Sequence, residues 1–332
     1  MPPLGDQTIL ITGASSGIGL VAARLAASRG AKVILVSRNE AALADIVRGI
    51  EAQGGQACFA IADVGDRDSL ARAADAGIAR FGRIDTWVNN AGVAIYATLA
   101  DTPDDEHQRL FRTNYFGVVN GAHVALERFG DRAGNLITVA SIAADMSTPI
   151  MGAYAASKHA VRAFVDSLRI ELKAAGSPVA VCLIKPSGIA TPIGIHAANH
   201  LDGEAMIPPP PYDPGLVAEA ILRCAERPRR EVTVGGAGRA QVLFSEHFPA
   251  LFERLAPLII PFLHDRAMVK SKGSNLFGPG TDGEERSPHE RGFTLSPYTQ
   301  AVLRPRLTGA LLLSSVAAAG AYALWRRRRS PG

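Results

Sequence analysis

At 332 residues the chain is long enough for one large domain or two small ones, and its 47% hydrophobic, 20% charged and 6% aromatic composition is that of a folded globular protein. Disordered, collagen-like and wholly membrane-embedded chains are excluded. The net charge of +4 equals the contribution of Arg326, Arg327, Arg328 and Arg329 alone, so the body is neutral and offers no basic stripe to nucleic acid.

The amino terminus, Met1 to Gln7, has neither a basic nor an apolar stretch, so no secretory signal is expected and the body is placed in the cytoplasm. From Thr8 onward short β-branched runs alternate with longer Ala-, Leu- and Arg-rich stretches, the pattern of strand-helix repeats around a parallel sheet. The predicted strands are Thr8 to Thr12, Lys32 to Ser37, Ala57 to Ala62, Thr86 to Asn89, Asn135 to Val139, Val179 to Ile184 and Glu231 to Val234. Several are apolar throughout, as expected of strands covered on both faces. The predicted helices are Gly17 to Ser28, Glu40 to Ala52, Asp66 to Arg80, Asp104 to Phe129, Ala153 to Ala174 and Pro214 to Arg227. Pro103 before Asp104, Asp105 and Glu106 suits a helix start, where proline fits the first turn and acidic groups face the positive dipole end. The expectation is an α/β fold with a doubly wound parallel sheet of about seven strands and helices on both faces.

Between Ile193 and Tyr212 the alternation fails. Pro208 to Pro211 form a stiff extended stretch there, which suggests an insertion or lid. The first domain is expected to span residues 1–236 and a partly helical extension residues 237–270, with the apolar run Leu255 to Leu263 as a second apolar contact or ordinary core. The polar, Gly/Ser/Pro-rich run from Ser271 to Arg291 is expected to be a linker, continuing to residue 306.

The first strand is followed by Thr12-Gly13-Ala14-Ser15-Ser16-Gly17-Ile18-Gly19, which opens the first helix. Glycines there permit a tight turn, close approach of backbone to a pyrophosphate and close helix packing, and the helix dipole favours the anion. The same glycines would also serve a plain strand-helix turn. Further along, Asn89-Asn90-Ala91-Gly92 follows the fourth strand, Asn114 lies in the long middle helix, Ser141 follows the fifth strand, and Tyr154-Ala-Ala-Ser-Lys158 comes thirteen residues later. Tyr154 and Lys158, four apart on a helix, share one face and can meet the same ligand. A phenol titrates near 10, and a neighbouring ammonium would favour its ionised form.

In spacing and order these five motifs resemble the short-chain dehydrogenase/reductase family, over approximately Asp6 to Gly236. The resemblance implies a Rossmann fold and a nicotinamide dinucleotide. It further implies that Tyr154 exchanges a proton with a carbonyl or alcohol oxygen, that Ser141 orients that oxygen, that Lys158 also holds the nicotinamide ribose, and that Asn114 supports a water chain. Gly13, Ser15, Ser16, Gly17, Ile18, Gly19 and Asn90 would cradle the dinucleotide, and Asp63 with Val64 would meet the adenine. Pro186-Ser187-Gly188-Ile189-Ala190-Thr191 resembles the Pro-Gly-x-x-x-Thr segment of the family that lies against the nicotinamide, with Ser187 departing from the usual glycine. Each residue also has a plain structural use, and their joint order favours chemistry.

Cofactor choice turns on the end of the second strand, where an acidic residue would accept from the ribose 2′-hydroxyl of NAD. Ser37 and Arg38 stand there instead, and Arg38 offers a fork of donors to a 2′-phosphate, so NADP(H) is expected over NAD(H). No metal is expected, because the eight histidines lack ligand spacing and Cys58, Cys182 and Cys224 are odd in number and far apart.

Leu307 to Trp325 is nineteen residues without a charge, about 28 Å as a helix and just enough for a bilayer core. With the basic tail 326–332 it is expected to attach the protein to membrane lipid, either spanning or lying in the interface, or else to pack on protein. The overall expectation is an oxidoreductase interconverting an alcohol and a ketone or aldehyde on a small or lipophilic substrate. By resemblance it forms homo-oligomers through the helices 104–129 and 153–174. The competing readings are a nucleotide-binding scaffold with little turnover and an epimerase or dehydratase on the same fold.

Overall fold

The computed structural model describes residues 1–271, 273–305 and 308. Seven strands, β1 (Thr8–Thr12), β2 (Lys32–Ser37), β3 (Gln56–Ile61), β4 (Thr86–Asn89), β5 (Asn135–Val139), β6 (Ala180–Pro186) and β7 (Glu231–Val234), form one sheet. All six pairings are parallel and the order is 3-2-1-4-5-6-7, a doubly wound Rossmann arrangement. Alternate residues feed opposite faces. Ile9, Ile11, Val33, Leu35, Val88 and Ile184 pack under α1 (Gly17–Ser28) and α2 (Glu40–Ala52), whereas Leu10, Ile34, Val36, Trp87 and Leu136 pack under α3 (Arg67–Phe81) and its neighbours.

Most predicted elements keep their bounds, and the third and sixth strands and three helices shift by one or two residues. Asp66 stands outside α3 as its cap, accepting from the N–H groups of Asp68 and Ser69. The long middle helix, α4, runs from Asp104 to Phe129 but carries a π-helical turn at Arg112–Phe116, in which Asn114 is fully buried. After it come α5 (Gly152–Ala174) and α6 (Pro214–Glu226), the latter packed against α1.

Beyond β7 the chain departs from the alternating pattern. α7 (Gly236–His247), α8 (Pro249–Leu255) and a 3-10 stretch, Ala256–Phe262, form a cap, and His264–Asp265 pairs antiparallel with Glu204–Ala205. Leu263 is buried, whereas Leu258 and Phe262 are exposed, so the run Leu255 to Leu263 divides between packing and surface. Of the stretch Ser271 to Arg291, expected as a linker, residues 273–291 instead lie against the domain. Their backbone N–H groups at Asn275, Gly283 and Ser287 bond to the carbonyls of His196, Ser15 and Ala190. A last described helix, α9 (Pro297–Leu303), closes on the β7 edge, where Thr299 accepts from the Gly235 N–H at 2.9 Å. The apolar segment Leu307 to Trp325 and the basic tail lie outside the described residues, apart from Thr308. Among the described residues no helix is long and apolar enough to cross a membrane.

Candidate active site

The strand order reverses between β1 and β4, which opens a crevice at their carboxyl ends. Thr12 closes its floor: its Oγ1 donates to the Val88 carbonyl at 3.3 Å and accepts from the N–H groups of Asn90 and Ala91 at 3.0 and 3.1 Å. Asn90 answers by donating to the carbonyls of Thr12 and Gly13 at 3.0 and 3.2 Å. Gly13 turns the chain with φ +65°, and a Cβ at Gly19 would lie 2.2 Å from the Gly13 carbonyl oxygen. Only glycine at both positions lets α1 begin this close to the end of β1.

One cavity of about 460 Å³ runs from this crevice, within the range of small-molecule and cofactor sites. Gly13, Ser15, Ser16, Gly17, Ile18, Arg38, Asp63, Val64, Asn90, Ser141, Tyr154, Lys158, Pro186, Gly188 and Thr191 all line it. Gly19 and Asn114 stand behind the wall. The glycine cradle, the helix start at Gly17 and the apolar wall at Val64 suit an elongated ligand with an anionic middle, so the residues present fit a dinucleotide.

At the end of the cavity beside β2, Asp63 has a partner that sequence gave no reason to expect. Burial disfavours its charge, but the Arg109 guanidinium at 2.5 Å and the Gly65 N–H at 2.9 Å outweigh this and hold its pKa below the ordinary carboxylate value. Arg38, whose pKa burial lowers, donates to the carbonyls of Asn275 and Leu276.

At the other end Ser141 caps a 3-10 turn, its Oγ accepting from the Ala143 N–H at 3.1 Å. The turn is tied to the sheet through Asp145, which meets the buried Lys185 of β6, and Lys185 in turn reaches Glu231 of β7 at 2.5 Å. Burial pushes the Tyr154 phenol up to about 12, opposed by the neighbouring Ser141 hydroxyl. Burial likewise pushes Lys158 down to about 8. Lys158 Nζ lies over the face of the Tyr154 ring, 5.5 Å from its centroid, and has no salt-bridge partner among the described residues. The expected lowering of the phenol by the ammonium therefore gives way to burial in this structure.

Asn114 is engaged at both ends of its carboxamide. It accepts from the Val93 N–H at 2.9 Å and donates to the Val93 carbonyl and Ser157 Oγ at 3.0 and 3.1 Å, and Ser157 donates to the Tyr154 carbonyl at 2.7 Å. The side chain thus fixes the backbone beside Gly92 and the start of α5.

Sequence reading missed the cap residues Phe244, Phe252 and Ile259, which line the cavity beyond Tyr154 together with Met146, Met151 and Ile207. It also missed His196, nine-tenths buried with Nε2 unpartnered, and Thr148, whose Oγ1 is likewise unpartnered; both line the cavity. Among the described residues no cluster of side chains could hold a metal ion.

A parallel sheet reversing over a glycine turn, with serine, tyrosine and lysine at the far end of one cleft, has direct counterparts among known proteins. A short chain dehydrogenase family model matches residues 7–201, and the chain belongs to the short-chain dehydrogenase/reductase family of oxidoreductases. It is 38% identical over 328 residues to the uncharacterized oxidoreductase YxnA of Bacillus subtilis, covering 96% of this chain and 91% of that one. It is 35% identical to dehydrogenase/reductase SDR family member 7B of Rattus norvegicus over 59% of this chain and 62% of the relative. Among solved structures, a short chain dehydrogenase/reductase from Burkholderia phymatum in complex with NAD superposes with a TM-score of 0.69 at 26% identity, over 76% of this chain and 96% of that one. An alcohol dehydrogenase from Thermococcus sibiricus complexed with 5-hydroxy-NADP shares the fold, with a TM-score of 0.61 at 24% identity over 69% and 95%.

Proposed function

We propose that the protein is an NADP(H)-dependent reductase that interconverts an alcohol and a ketone or aldehyde on a lipophilic substrate. The observation that carries this reading is the single cavity that joins the glycine turn at one end to Ser141, Tyr154 and Lys158 at the other. The glycine turn, the α1 start and the segment Pro186 to Thr191 would hold the dinucleotide, whose chemistry would be to supply or accept a hydride. Arg38, with no carboxylate at the end of β2, favours a cofactor bearing a 2′-phosphate.

The substrate oxygen is placed between Ser141 Oγ and the Tyr154 hydroxyl. In the reducing direction Tyr154 gives its phenolic proton to that oxygen. With its phenol near 12, Tyr154 is protonated at neutral pH and is set to donate. Lys158, largely protonated at neutral pH, stabilises the tyrosinate left behind and holds the sugar next to it. Asn114 acts as a positioning residue through Val93 and Ser157. The apolar wall of Met146, Met151, Ile207, Phe244, Phe252 and Ile259 excludes water and accommodates a hydrocarbon body.

Copies of the chain pair through α4 and α5, where Phe116 and Ile170 are large exposed apolar side chains. The test of function is fluorescence titration with NADPH and NADH, followed by turnover of a panel of ketones and aldehydes. Tighter binding of NADPH, with faster turnover of long-chain than short-chain carbonyls, is expected. Binding of neither nucleotide would overturn the reading.

A further inference from the structure

The run from Asn275 to Ser287 crosses the mouth of the cavity and touches three of its walls in succession. At the end of β2, the Arg38 guanidinium donates to the carbonyls of Asn275 and Leu276, and Asn39 Nδ2 donates to the Gly280 carbonyl at 3.1 Å. At the glycine turn, Gly283 N–H bonds to the Ser15 carbonyl and Gly17 N–H to the Glu284 carbonyl, both at 2.9 Å. Beside the segment after β6, Ser287 N–H bonds to the Ala190 carbonyl at 3.1 Å. The cavity continues beneath this run, with Asn275, Pro279, Gly280 and Asp282 lining it.

Both ends of the run are fastened. Leu276 is fully buried in a cluster with Val93, Ile95 and Leu110, and Arg109 holds its carbonyl at 2.9 Å. At the other end Arg286 pairs with Asp213 at 2.7 Å and Glu285 with Arg24 at 2.6 Å. Gly278, Gly280 and Gly283 let the backbone hinge after the Leu276 anchor, so that lifting the run parts the surface Arg24–Glu285 pair, and Phe277 faces solvent.

We propose that residues 275–287 form the outer wall of the dinucleotide site, a strap under which the adenosine half lies and which must lift for the dinucleotide to enter or leave. This rests on the dinucleotide reading of the cavity. The latch consists mainly of main-chain groups meeting Arg38, Asn39 and the glycine turn, so the elements that would grip the cofactor also hold the strap down. Opening the strap frees both together, and a closed strap slows exchange without touching Tyr154 or Ser141.

The test uses the full chain carrying Arg24→Cys and Glu285→Cys, with Cys58→Ser to remove the partly exposed native thiol. The two new thiols are joined by a short bismaleimide, and the link is verified by mass. NADPH loaded before linking is expected to leave roughly 100-fold more slowly than from the unlinked protein, measured by displacement with NADP, and NADPH added after linking is expected not to enter on that timescale. Conversely Leu276→Ala, which weakens the anchor at a residue that does not itself line the cavity, is expected to speed release roughly tenfold. Release and entry at the unlinked rate in the linked protein would overturn the strap while leaving the dinucleotide site intact. Failure of the unlinked protein to bind NADPH or NADH would overturn the site itself, and the strap with it.

Discussion

The floor and the roof of the cavity are built by different means. The floor consists of strand ends and helix starts: Thr12, Asn90 and the glycine turn are locked by hydrogen bonds that depend on particular side chains. The roof, from α7 to residue 293, is made of short helices, a 3-10 stretch and a run without regular structure, held largely by main-chain groups. A surface that must present reacting groups is rigid and specified residue by residue, whereas one that must fit over a ligand needs shape and few fixed identities.

The sharpest way to test the floor is Tyr154→Phe. It is expected to lower turnover by roughly 10²–10⁴-fold while NADPH titration stays unchanged; equal losses of both would assign Tyr154 to packing. Lys158 comes next. Its pKa in the folded protein is lowered to about 8 from an ordinary 10.5, so below pH 8 both states carry the proton and burial costs its full amount. Above pH 8 the folded state sheds the proton while the unfolded state keeps it, and stability rises with pH. The difference in stability between the protein and Lys158→Met, read by chemical denaturation, should therefore grow by about 2 kcal/mol between pH 8 and 10, while the Cys58 thiol, pushed up to about 11 by burial, lowers the stability of both over the upper part of that range. Above pH 10 the raised Tyr154 pKa works in the opposite direction, because the unfolded phenol ionises first.

Gly19→Ala brings a Cβ against the Gly13 carbonyl and is expected to cost roughly 1–3 kcal/mol in denaturant titration, together with weaker NADPH binding. Roof substitutions should be milder. Phe252→Ala, at the cavity, is expected to raise KM for long-chain carbonyls roughly tenfold with kcat little changed. Leu258→Ser, on the exposed face of the same cap, is expected to alter stability by about 0.5 kcal/mol or less. A roof mutant that abolished turnover would erase the contrast between the two regions.

That contrast also governs what could be read from the sequence. The strands were legible because the apolar runs at Ile9 to Ile11, Val33 to Val36 and Leu136 to Val139 are covered on both faces. Ser141, Tyr154 and Lys158 were legible as one group because they fall in motifs of fixed spacing. The π turn within Asp104 to Phe129 was not, since it leaves the apolar spacing of the helix nearly unchanged. Nor was the Asp63–Arg109 pair, whose members come from different elements. The strap was the least legible part, because Asn275, Leu276, Gly280 and Glu284 contribute carbonyls that any residue could supply. Its one signal is the isolated apolar pair Leu276-Phe277 in an otherwise polar run, together with Arg286 as a possible partner for Asp213.

Lys185 has a consequence that reaches beyond its own burial. By joining Asp145, in the turn that begins at Ser141, to Glu231 on the edge strand, it ties a loop hydroxyl to two strands of the parallel sheet. On the proposed function, an incoming carbonyl oxygen would meet a donor whose position was settled during folding, so the ordering entropy of that contact would not be charged to the reaction.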